Sequence, residues 1–341
     1  MVLEMVQLSP VKIPNVRIRN PDTNEVPKMA QENQPKVFLF HPDKLLQKKL
    51  EKIFFASEVE FQVFDNPPSL EILKKDPAVV FIDRKFLKAY LTIPKTICPG
   101  QCVLINSDEP GDMFEHMLKE PRLNHVIGRK EGEPIRSWEI LYTTRRLAYE
   151  YKAYGLKNLL GWAGRIHDAW IMGTEDLHNI VQWVPSFCEA MGAPPKVREA
   201  FAELTHELLM NAVYDAVMDD EGNHPYAHDR KASVKLKESE YPLFSIGTDG
   251  EMLAVAVRDP FGGLRRKHVF GGLSRALQNQ GQIDASGGGA GLGMMYIYQH
   301  GIGSIFTVKN EKMTEVIVYY DLSVNRRDFA VLPKSVHFYL E

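Results

Sequence analysis

Short apolar runs separated by helical stretches dominate the chain from Lys36 onward. Val37–Phe40, Glu60–Phe64, Ala78–Asp83, Cys102–Ser107 and His125–Gly128 each read as a buried strand. Helical patterns fall between several of them, at Asp43–Phe55, Ser69–Lys74 and Asp112–Lys119. Strands apolar throughout, alternating with helices, predict a doubly wound parallel sheet for residues 36–134. Residues 1–35 are proline-rich and polar without sustained periodicity, so they read as an irregular arm. From 135 to 172, Trp138, Leu141, Leu147, Tyr151, Tyr154, Leu159 and Trp162 recur at roughly helical spacing and predict a helical connector.

A different texture occupies residues 173–325. A helix is expected from Phe201 to Ala216, followed by a polar stretch over Asp219–Glu240. Leu243–Gly247 and Glu251–Asp259 then flank Asp249-Gly250, a hairpin turn signal. After a loop of about 25 residues, glycines open a further apolar helix, and Ser304–Asn310 and Thr314–Leu322 read as closing strands. The expected fold class is α/β, a doubly wound parallel sheet followed by an α/β sandwich, with 326–341 as a C-terminal tail.

A formal charge of −3 offers no basic field for nucleic acid. No apolar run approaches a membrane span, and the N-terminus lacks a secretory pattern, so a cytoplasmic protein is expected. Cys98, Cys102 and Cys188 make an odd count that suits a reducing compartment. Cys98 and Cys102 flank a Pro-Gly turn but lack matching Cys or His neighbours for a metal site.

Chemistry concentrates in the second half. Glu207, Asn211 and Asp215 stand four residues apart on one side of the Phe201–Ala216 helix. A carboxylate one turn before a carboxamide can poise a hydrated magnesium ion; taken alone, the same residues also fit a solvated polar stripe. Asp259 ends a strand just before Gly262 and Gly263, and Gly289, Gly291 and Gly293 precede an apolar helix. A dinucleotide-binding unit does not fit, because the glycines follow no first βα unit with an acidic residue beyond it, and no Walker A motif is present.

Glu207-x-x-x-Asn211-Ala212, then Asp259 with its glycines, then Gly289-Ala290-Gly291-Leu292-Gly293 resemble, in order and spacing, the N, G1 and G2 boxes of the GHKL ATPases. That superfamily includes gyrase B, histidine kinases and MutL. The resemblance implies an ATP and Mg2+ site in an α/β sandwich. Asp259 would accept from the adenine amino group, Asn211 would be the magnesium ligand, and Glu207 would orient or deprotonate the nucleophile. Gly289, Gly291, Leu292 and Gly293 would bring backbone N–H groups to the phosphates, with Arg265, Arg266 and Lys267 in a lid. Phe261 stands where the family places the first G1 glycine, so Gly262 takes the turn role.

Residues 36–134 resemble the receiver domain of bacterial response regulators. Asp83 matches the phospho-accepting aspartate, Ser107 the hydroxyl position and Lys130 the lysine; His41-Pro42, with Asp43 beyond, replaces the family's acidic pair. The resemblance implies either an unphosphorylated docking domain or phosphorylation at Asp83.

Within the superfamily the THELLMNAVYDA helix is most similar to the anti-sigma-factor serine kinase branch. That implies a regulatory kinase acting on a protein partner. A histidine-kinase-like autokinase using His167 or His178 is an alternative, although neither precedes a Thr-Pro signature. A non-catalytic nucleotide-gated binding module is another. For the aromatic-rich connector, a homodimer and packing on the chain's own domains are equally economical.

Overall fold

The structure is a computed structural model that describes residues 34–341, apart from 109, 111, 134, 162–163, 220, 279–289, 325–328 and 330–331. The side chains of residues 278 and 290–292 are outside the description as well. The expected arm, up to residue 33, lies outside the described residues.

β1 (Lys36–Phe40), β2 (Glu60–Phe64), β3 (Val79–Asp83), β4 (Gln101–Asn106) and β5 (Leu123–Gly128) are parallel, in the order β2-β1-β3-β4-β5. Their alternating side chains enter two different cores, which is why the runs are apolar throughout. Val37, Leu39, Val79, Phe81 and Ile127 meet Leu46, Leu50 and Phe54 of α1 (Lys44–Ala56) and Ile140 of α5 (Ser137–Ala148). Phe38, Phe40, Val80, Ile82 and Leu104 pack on the other side. There they meet α2 (Leu70–Leu73), α3 (Leu87–Leu91) and α4 (Met113–Lys119). The Asp43 side chain starts α1 by accepting from the N–H groups of Leu45 and Leu46, at 2.8 and 3.2 Å.

The second half forms an antiparallel array. β6 (Arg165–Trp170), β7 (Leu243–Thr248), β8 (Met252–Asp259), β10 (Met313–Asp321) and β9 (Gly303–Lys309) are neighbours in that order. The hairpin expected around Asp249-Gly250 forms between β7 and β8, with Gly250 at φ +95°. One face is covered by α6 (Thr174–Ala190), α7 (Pro195–Met210), α8 (Arg266–Gln278) and α9 (Ala290–His300). The opposite face packs against Leu156, Leu159 and Leu160, with Trp138 and Tyr142 of α5 beside them.

Three expectations need correction. The run over 135–172 is not a helical connector: α5 ends at Ala148, Glu150 turns to φ +52° and Gly155 to +75°, and Arg165–Trp170 is the edge strand β6. The aromatic spacing there reflects packing of an irregular segment over β8 and β9, not a continuous helix. Residues 326–341 are not simply a tail, because β11 (Ser335–Leu340) enters the sheet. It pairs parallel with β9 and antiparallel with β5, at Val336↔Val126 and His337↔His125. The molecule is therefore a mixed α/β fold on an 11-stranded sheet, and 134/135 is not a structural break. The loop expected before the glycine stretch holds α8, whose Gly271-Gly272 pair hides an apolar stripe of Val269, Phe270 and Leu273.

A buried polar network stiffens the seam. Glu139 accepts from Tyr319 Oη (2.7 Å), His337 Nε2 (3.0 Å) and Arg136 Nε (2.8 Å). Arg136 also donates to Gly128 O and Ser335 Oγ. Burial works against the Glu139 charge, but Arg136 and His337 outweigh it and hold the carboxyl well below its usual range. Every charge there has a partner, the condition under which burying it is tolerable.

Candidate functional site

Proline at the first helical position and an apolar stripe of Val197, Phe201, Leu204 and Leu208 set α7 on the sheet. Its polar side carries Glu207. After Met210 the chain widens into a π turn over Asn211–Asp215, closed by Ala216 N–H donating to Asn211 O at 2.8 Å. Such turns re-aim side chains and recur at functional sites. Glu207, Asn211 and Asp215 thus line one cleft of about 460 Å3, together with Asp259, Gly262, Gly263 and Gly293. The size suits a small-molecule ligand. Gly289 lies outside the described residues; Gly291 and Leu292 fall in the first turn of α9.

Asp259 sits at the end of β8, 8% exposed. Its Oδ1 accepts from Phe261 N–H (2.9 Å) and Gly262 N–H (3.4 Å). Thr314 stands directly opposite on β10, and its hydroxyl and N–H also donate to the carboxylate. Burial wins over these donors and pushes the carboxyl up from 3.8 to about 6. Gly262 does take the turn role. It has φ +68°, and a Cβ there would lie 2.1 Å from Lys309 O. Only glycine satisfies both constraints.

Across the cleft, burial raises the Glu207 carboxyl, and the Asp215 charge adds to this. Arg230 and a hydrogen bond from Asn211 oppose it. Asp215 is also raised by burial, despite its bidentate pairing with Arg230. Gly293 lets α9 close on α7, because a Cβ at that position would come within 2.4 Å of Glu207 Oε1. The lining is acidic: Glu207, Asp215, Asp259 and Glu311 face a single guanidinium, Arg265. Arg265 donates to Gly262 O (2.8 Å) and Asn310 Oδ1 (3.2 Å).

The other two basic residues of the expected lid are engaged elsewhere. Arg266 donates to Asn124 Oδ1 and to the carbonyls of Leu118, Glu120 and Leu123, tying α8 to the first half. Lys267 lines a neighbouring cleft. Thr314, Arg230 and Glu311 were not singled out from the sequence. A threonine beside a strand-end aspartate becomes visible only with the β8–β10 register.

At the C-terminal ends of the parallel strands, Asp83 is 6% exposed. Its Oδ1 accepts from Lys85 N–H (2.8 Å) and its Oδ2 lies 3.0 Å from His41 Nε2. His41 Nδ1 accepts from Asp43 N–H at 3.0 Å, which assigns the ring proton to Nε2. Burial works against the Asp83 charge, but these contacts hold its carboxyl below the ordinary value. Lys130 points outward to Glu133 at 2.9 Å, whereas Arg129 is 6% exposed and its charge acts on Asp43. Ser107 is half-buried just past β4. His167 lies on the strand β6 against Trp183 and Phe187, whereas His178 lies on α6, which packs against α7. Cys98 and Cys102 are buried free thiols, and burial pushes both pKa values up.

No family model matches the chain, and no curated protein matches it. No helix among the described residues is long and apolar enough to cross a membrane.

Proposed function

We propose that the cleft is an ATP–Mg2+ site of the GHKL type and that the protein is a signalling protein built on it. The reading then narrows to a regulatory protein kinase of the anti-sigma-factor kind, acting on a protein partner. The observation that carries it is Asp259 with Thr314. A buried acceptor beside a hydroxyl, at the floor of a cleft, matches a purine edge that offers an amino donor next to a ring nitrogen. A ligand N–H would satisfy the carboxylate that burial penalises.

The acidic lining supports a divalent cation, because a polyphosphate would otherwise meet four carboxylates and one guanidinium. Among the described residues no group of three or more His, Cys, Asp or Glu could cage a metal. The residues nonetheless fit Mg2+, which commonly takes one or two protein oxygens and completes its shell with phosphates and water. Asn211 would hold it, with Glu207 hydrogen-bonded alongside. When bound, the ion neutralises phosphate charge. The chain's own residues do the rest: Asp259 and Thr314 orient the base, and Gly262 shapes the turn beside it. Glu207, its affinity for protons raised by burial, takes a proton from the attacking hydroxyl.

Residues 36–134 are, in this reading, a receiver-like docking domain. His41 donates to Asp83 where the family holds a metal, which favours the unphosphorylated form. The autokinase reading has less support, because His167 stands on a strand and neither histidine precedes a Thr-Pro signature. Titration calorimetry with ATP and magnesium tests the site, and labelled ATP with partner proteins tests transfer. Asn211→Ala should abolish magnesium-dependent binding. Glu207→Ala should bind but not turn over; if it loses binding with its fold intact, its assigned role is wrong. Binding without any turnover by the wild type would leave a nucleotide-gated module.

A further inference from the structure

A second cleft, about 1000 Å3, opens where the two halves of the sheet meet. Its balance is opposite to that of the first: five cationic side chains face three carboxylates, Glu150, Glu311 and Glu341. Leu264, Arg265 and Glu311 line both clefts, so the two are neighbours.

The cations are not spent equally. Arg266 donates to neutral oxygens, three carbonyls and Asn124, and the Glu120 charge acts on it from nearby. Lys152 and Lys267 are exposed at the rim and make no ion pair among the described residues. Deeper in, Arg146 is 3% exposed and stacks 3.8 Å over Tyr339. Its terminal nitrogens reach Tyr142, Thr307 and Glu341, but its Nε is buried without a partner. His125 lines the same cleft at 1% exposure, and its Nδ1 is likewise unpartnered.

We propose that this cleft binds a compact, multiply charged small anion, with its charge on Lys152 and Lys267. A recess of about 1000 Å3 with a net cationic lining, behind free cations at its rim, fits a ligand that enters the cleft. A flat acidic surface could engage only the rim. Phosphate and carboxylate groups share this chemistry.

Calorimetric titration of the full chain with pyrophosphate and, separately, citrate tests the proposal. The protein is passed over a chelating resin beforehand and no soluble chelator is present, so that the acidic nucleotide cleft gains no divalent cation and nothing competes with the probes. Saturable binding of either probe is expected, and which one binds names the source of the charge. A Lys152→Ala/Lys267→Ala variant, whose exposed positions leave the fold intact, should bind at least tenfold more weakly. A Lys152→Arg/Lys267→Arg variant should restore binding. Binding of ATP with magnesium should stay within twofold of wild type in both. Absence of binding by either probe, or binding that the alanine pair leaves unchanged, would overturn the site. Binding of hexaglutamate alone would replace the small anion with an acidic peptide. Joint loss of ATP binding would mean that the clefts are not separate.

Discussion

Replacing Asp259 by asparagine should stabilise the protein while disabling its nucleotide cleft. Burial raises the Asp259 carboxyl from 3.8 to about 6, so its ionised form weakens the folded state at neutral pH. Two pKa units correspond to roughly 3 kcal/mol. The sign follows from proton counts. The folded state binds more protons than the unfolded chain between the two values, so the penalty is absent below about pH 4, grows toward pH 6 and is complete above it. Asparagine keeps an acceptor for the Phe261 and Gly262 N–H groups and carries no charge. Its amide nitrogen faces the Thr314 donors, a pH-independent loss that makes roughly 3 kcal/mol the upper bound of the gain. For a unit of this size, roughly 3 kcal/mol is a rise of about 5 °C in Tm. Scanning calorimetry of both proteins from pH 4 to pH 8 should show a gap that opens with pH. The same variant should bind ATP at least about a hundredfold more weakly, since its new amide donor can face the purine amino donor. A gap that is absent or independent of pH would refute the burial argument, and wild-type ATP affinity would refute the assignment of Asp259 to the base.

Gly262→Ala places a side chain at φ +68° and against Lys309 O, so urea unfolding should show a loss of roughly 2–4 kcal/mol. His41→Ala removes a partner of Asp83 and should cost roughly 3 kcal/mol at neutral pH. Because the folded Asp83 pKa is lowered, that loss should start to shrink in denaturant titrations below about pH 4, where the unfolded chain protonates first, and disappear below the folded value. Acetyl phosphate with magnesium should leave the intact mass unchanged; one added phosphoryl group that disappears in Asp83→Asn would show that the aspartate is reachable after all.

Much of the fold could be read along the chain, because its strands carry strong local signals. β1 to β5 and β7 to β10 lie within a residue or two of the apolar runs that predict them. The misses share a cause. β6 mixes polar and apolar residues without alternation at an edge, α8 is interrupted by a glycine pair, and β11 is a short run with His337 inside. Each is stabilised mainly by contacts distant in sequence, which a local pattern does not record. The same holds for the cleft. Glu207, Asn211, Asp215 and Asp259 were visible because helical spacing and a strand end constrain them locally, but Thr314 and Arg230 were not.

The sequence by itself determined which residues are apolar, at what period, and therefore which faces must be buried. It also determined the order of the acidic, amide and glycine positions around the cleft. Tertiary structure decided the neighbours. It set β11 between β5 and β9, fusing two apparent domains into one sheet. It put Thr314 opposite Asp259, drew Gly293 onto Glu207, and moved Arg266 and Lys267 away from the nucleotide cleft toward the seam. Periodicity specifies which side of an element faces the core, whereas register and strand order arise from pairing between segments far apart in the chain.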